Sequence, residues 1–89
     1  MREVRPRVGC SLEEGVLRVL YEGPATAGEC AAGLLHDGYA TEVVIEELES
    51  QLADLVRRAC IVCAGLGAAA RYTLTETGSE RLASLVEVA

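Results

Sequence analysis

Phenylalanine and tryptophan are absent from this 89-residue chain, and Tyr21, Tyr39 and Tyr72 are its only aromatics. A core without large rings has to be filled by Leu, Val, Ile, Ala and Cys. Lysine is absent as well, so all eight basic residues are Arg. His36 is the single histidine, beside Asp37 in a turn, with no nucleophile or substrate pocket implied around it. No apolar run approaches the roughly 18 residues that read as a membrane span. The opening MREVRPRVGC mixes acid and base without the apolar stretch of a secretory signal. A cytoplasmic protein with no membrane contact is the expectation.

What is present is apolar residues at 51% and a net charge of -6. That apolar share excludes an intrinsically disordered chain, and the length allows one domain with a modest core. The charge is unevenly placed. Residues 1–9 hold Arg2, Arg5 and Arg7 against Glu3, whereas the rest holds five Arg against thirteen acids. Such a balance discourages non-specific attraction to nucleic acid or anionic lipid.

Residues 1–10 read as an extended arm, with Val4, Pro6, Val8 and Cys10 in one phase and Arg5 and Arg7 in the other. Residues 11–89 read as one domain. Ser11 with Glu14 marks a helix start, followed by Leu12, Val16, Val19 and Leu20 at helical spacing up to Gly23-Pro24. Gly15 weakens that helix unless a neighbour packs closely on it. Thr26 with Glu29 marks a second helix, carrying Ala27, Cys30, Ala31, Leu34 and Leu35 and closed by Gly38.

A third helix capped by Thr41 is predicted to run to about Ala59. Val44, Ile45, Leu48, Leu52, Leu55, Val56 and Ala59 form its apolar face, opposite Glu42, Glu46, Glu49, Ser50 and Arg57. Ile61-Val62-Cys63 and Arg71-Tyr72-Thr73-Leu74 then flank a small-residue loop and read as a hairpin. A last helix follows, with Leu82, Leu85 and Val86 facing inward. The fold class is mainly α with a small β-hairpin: a three-helix core, a wing and a C-terminal helix.

That order, with EGVLRVLYEGPATAGECAAGLL and RYTLTETGSERLASL, resembles the winged helix-turn-helix superfamily, most closely PadR-like and MarR-like bacterial transcriptional regulators. Their aromatic-x-Leu-Thr-x-x-Gly run is matched by Tyr72, Leu74, Thr75 and Gly78. The resemblance covers about residues 11–86. It implies that the helix at 41–59 enters a DNA major groove and that the loop at 64–70 lies on the minor groove or backbone. The sequence departs from this where Glu42, Glu46, Glu47 and Glu49 stand on the groove-facing helix, since phosphates and base edges are usually met by Arg, Lys, Asn, Gln or Ser.

Two functions therefore follow as expectations, neither enzymatic. The first is a protein-interaction module in transcription-related regulation, offering Glu42, Glu46, Glu47 and Glu49 to a basic protein partner. The alternative is a DNA-binding transcriptional regulator, acting as a homodimer through Arg2, Arg5, Arg7, Ser50, Arg57, Arg58 and Arg71. Exposed apolar positions such as Val43 are candidates for self-association.

No cofactor, metal or catalytic residue is assigned. Cys60-Ile61-Val62-Cys63 spells CxxC, but it lies where a helix exits into a strand rather than where one begins, and zinc needs two further ligands. Cys10, Cys30, Cys60 and Cys63 allow three disulfide pairings, with reduced core thiols as the default in a reducing compartment. Gly65-Leu66-Gly67 lacks the Lys-Ser/Thr of a phosphate loop and reads as a wing tip.

Overall fold

The structure is a computed structural model and describes residues 11–88. The calls on the arm 1–10, including Arg2, Arg5, Arg7 and Cys10, lie outside the described residues. Ser11 caps helix α1 (Leu12–Tyr21), its Oγ accepting the Glu14 N–H at 3.2 Å. Thr26 caps α2 (Ala27–His36) with a complete capping box. Its Oγ1 accepts the Glu29 N–H at 3.1 Å, while its own N–H donates to Glu29 Oε1 at 2.9 Å. Gly38, at φ +100°, carries the chain out of α2 in a conformation that favours glycine.

Helix α3 (Thr41–Arg57) starts one residue earlier than the Thr41 cap implies. Ala40 is its N-cap and makes no side-chain hydrogen bond, so Thr41 is the first helical residue. Tyr39 fixes that entry point. Its N–H donates to the Leu34 carbonyl at 3.1 Å and its hydroxyl donates to the Ser11 carbonyl at 3.0 Å, tying the α2–α3 turn to α1. Gly15 is what lets the ring lie there. A Cβ at that position would meet Leu34 Cδ2 at 2.6 Å and the Tyr39 hydroxyl at 2.7 Å. The close neighbour that would justify this glycine is thus Tyr39.

The far end of α3 also departs from expectation. The helix stops at Arg57, and Ala59 sits at φ +64°, an alanine in the left-handed position that usually takes glycine. The Cys60 N–H reaches back to the Leu55 carbonyl at 2.9 Å and closes the turn. Ala59 is therefore exposed rather than part of the inward face.

Three strands form one small sheet in the order β1-β3-β2, all antiparallel. The hairpin joins β2 (Ile61–Ala64) to β3 (Arg71–Leu74), with Ile61 opposite Leu74 and Ala64 opposite Arg71. The added strand β1 (Ala25–Thr26) pairs Ala25 with Tyr72 and Thr26 with Arg71, and so clamps the start of α2 to the wing. A short 3₁₀ turn at Gly67–Ala69 forms the tip. Helix α4 (Glu76–Val88) closes the domain. This is the winged helix-turn-helix architecture.

Leu17, Leu34, Leu52, Leu55, Ile61, Val16 and Cys30 are fully buried, and among the described residues no polar or charged side chain is buried with them. Each buried aliphatic contributes about 1.5–3 kcal/mol, which suits an all-aliphatic centre without ring stacking. The inward α3 stripe is narrower than predicted. Val44, Leu48, Leu52 and Leu55 are buried, whereas Ile45 is 74% exposed and Val56 39%. Leu35 and Val86 are also exposed, and Val43 packs against the core rather than offering a free surface.

Candidate functional site

A helix turns about 100° per residue, so Glu42, Glu46 and Glu49 lie within one narrow sector of α3, with Ala53 inside it and Ser50 at its edge. All five are exposed. Glu47 is exposed too, but it is rotated onto the other flank, so the four acids do not form one patch. Among the described residues none of these acids makes an ion pair.

The arginines proposed for nucleic acid are placed differently from one another. Arg57 pairs with Asp54 at 3.0 Å. Arg58 reaches Asp54 at 2.7 Å and Glu13 of α1 at 3.3 Å. Arg71, exposed on β3, has no ion pair among the described residues. The two arginines at the end of α3 are thus drawn into an internal network, whereas among the described residues Arg71 is not.

Glu13 is the centre of that network. It also accepts from Arg81 of α4, at 2.7 Å from Nε and 3.3 Å from the terminal nitrogen, so one carboxylate joins α1, α3 and α4. The hydrogen bond from Arg81 holds the Glu13 carboxyl below the usual carboxylate range, with the charges of Arg81 and Arg58 adding to it against partial burial. A depressed folded pKa gives stability that is present above the unfolded pKa and is lost as pH falls through the folded value. Glu13→Gln should therefore destabilise the domain by about 1–2 kcal/mol near pH 7, with wild type and variant converging in acid. Urea denaturation across that pH range measures it.

Beside the acidic sector runs a groove of about 820 Å³, bounded by the start of α2, the flank of α3 and the wing. Ala27, Gly28, Ala53, Val56, Ala68 and Tyr72 are among its lining residues, and Glu49 is the single charged one among the described residues. Sequence reasoning missed it because it placed Val56 on the inward face and did not register β1. The wing tip carries Leu66 at 89% exposure and no charge from Gly65 to Ala70.

The cysteines divide. Cys30 and Cys60 are buried, and burial pushes the Cys30 thiol up to about 11. Cys63 is exposed, a correction to the core reading. It stands across the hairpin from Tyr72, whose hydroxyl is shifted upward by burial first and by Cys63 second. Among the described residues no group of three or more His, Cys, Asp or Glu is arranged to hold a metal ion. No helix among them is long and apolar enough to cross a membrane.

No protein-family model matches the chain, and no curated protein matches it. Among solved structures it is similar to one described as the complex structure of hsRosR-S4, with a TM-score of 0.68 at 20% identity over 92% of this chain and 71% of that one. A likeness at that identity establishes the shared winged-helix fold. It does not single out the PadR-like or MarR-like branch.

Proposed function

We propose that the domain is a non-enzymatic DNA-binding transcriptional regulator that meets duplex DNA through α3 and the wing, as a homodimer. The observation that carries this is the continuity of α3 and the wing. Both line one groove, so helix and hairpin present a single outward surface of the kind a winged helix lays on a duplex. Thr26 caps the Glu29 N–H, which leaves the Ala27 and Gly28 N–H groups at the open start of α2 for a phosphate. Arg71 supplies a cation from the wing, and Arg2, Arg5 and Arg7 extend the contact from the arm. Ser50 is offered to base edges, while Glu46 and Glu49 beside it face the phosphate rows and hold the affinity down. The similarity to the hsRosR-S4 structure supports this reading over the protein-contact one.

The acids favour a second reading. Glu42, Glu46 and Glu49 have no ion-pair partner among the described residues and suit a basic protein surface.

Fluorescence anisotropy against a labelled duplex library separates the two. With four arginines offered to phosphates, the DNA reading gives saturable binding whose log affinity falls with log salt at a slope of up to about -4 per protomer. That is shallower than the slope of a protein making some 6–10 phosphate contacts. Folded protein that fails to bind into the tens of micromolar, at every salt tried, leaves the protein-contact reading standing.

A further inference from the structure

We infer that the groove between α2, α3 and the wing binds a lipophilic organic cation, with Glu49 as the counter-charge and Tyr72 as the aromatic wall. The groove measures about 820 Å³, within the range of roughly 300–1,000 Å³ found for small-molecule sites. Small residues on all three walls keep it open: Ala27 and Gly28 from α2, Ala53 from α3, and Ala68 from the wing tip. Leu52, itself buried, and the half-exposed Val56 give it an apolar flank.

The sign of the ligand follows from what lines and surrounds the groove. Glu49 is the single charged lining residue among the described residues, and it makes no ion pair with them. Tyr72 stands opposite Cys63 on one neighbouring strand and Ala25 on the other, so these three share one face of the sheet. Strand alternation puts Arg71 on the opposite face, and it does not line the groove. The positive end of α2 is already answered by Glu29, whose carboxylate accepts the Thr26 N–H at 2.9 Å. An anion in the groove therefore meets the Glu49 charge without a compensating side chain, and a cation gains it.

Tyr72 supplies the second element. A cation beside an aromatic ring is attracted by the ring's quadrupole. Burial first, then Cys63, and then Cys30 and Glu49 push the Tyr72 hydroxyl upward, which puts ring and carboxylate within reach of one ligand. A small hydrated cation would leave the apolar walls wet. A cation clothed in aromatic or alkyl groups covers Leu52, Ala53 and Val56 while its charge lies near Glu49. The site does not depend on the DNA reading, and its test contains no DNA.

The probes are tetraphenylphosphonium and tetraphenylborate, ions of nearly the same shape and opposite charge, titrated into the full-length chain and followed by amide NMR and calorimetry. The expected result is saturable one-to-one binding of the phosphonium with a Kd on the order of 10–100 μM, and shifts gathered at Ala53, Val56, Ala68 and Tyr72. Glu49→Gln should weaken it about 5-fold, the worth of one unit charge pair at about 4 Å in water. Ala53→Phe, which fills the groove from an exposed position, should abolish it. Glu42 lies about 10 Å back along α3, beyond the screening length of about 8 Å, so Glu42→Gln should leave the affinity within about 2-fold. Tetraphenylborate bound as tightly as the phosphonium overturns the proposal. So does an equal loss in Glu42→Gln, which assigns the attraction to net charge rather than to the groove. Shifts gathered away from the groove, or no binding up to about 1 mM, overturn it as well.

Discussion

Gly78→Ala is expected to cost about 3–5 kcal/mol, enough to leave a domain of this size largely unfolded at physiological temperature. The added methyl would be driven into the Cys60 carbonyl oxygen, with Leu74 Cδ1 2.7 Å away. That carbonyl is backbone at the junction of α3 and β2, so it cannot swing aside as a side chain would. It also accepts the Thr75 N–H at 3.0 Å and faces the Thr75 hydroxyl at 2.9 Å, while the same hydroxyl lies 2.6 Å from the Ala59 carbonyl and accepts the Gly78 N–H at 3.0 Å. Moving α4 to make room breaks this cluster at once. Thermal unfolding by circular dichroism measures the loss. Gly28→Ala is the matched control: its Cβ would find only Thr26 Oγ1, at 3.9 Å, and the helix gains about 0.5–1 kcal/mol by propensity.

This accounts for the Leu-Thr-x-x-Gly run as structure. Thr75 and Gly78 fasten the last helix to the junction of α3 and β2, and neither reaches the outward surface described for α3 and the wing. Four helices and the hairpin were legible because caps, glycine stops and apolar spacing agree locally at each. The end of α3 was not, since Ala59 takes a left-handed conformation that no glycine announces. Strand β1 is two residues long and exists only through pairing with Tyr72 and Arg71, a contact made across some 45 positions of chain. The candidate surface was legible in part. Exposure of Glu42, Glu46 and Glu49 followed from helical period alone. The pairing of Arg57 and Arg58 did not, because Glu13 meets Arg58 from a different helix, and periodicity within one helix is blind to that. Val56 shows the same limit from the apolar side. A residue at the edge of a stripe is buried or exposed according to which neighbour arrives beside it, and here the neighbour is an open groove.

Reversing the acids should produce the largest functional change. Glu46→Lys/Glu49→Lys is expected to raise duplex affinity by roughly 100-fold at low salt. At about 6 Å in water a unit charge pair is worth about 0.7 kcal/mol, and each reversal exchanges a repulsion for an attraction, so two sites give about 3 kcal/mol. Two new phosphate contacts should steepen the salt slope by about 2 per protomer. Both residues are exposed and without ion pairs among the described residues, so thermal stability should hold within about 0.5 kcal/mol. A gain with an unchanged salt slope would mean that positions 46 and 49 do not lie near phosphates. A loss of affinity would instead place the two carboxylates on base edges, because a lysine cannot accept the hydrogen bond that a cytosine amino group offers.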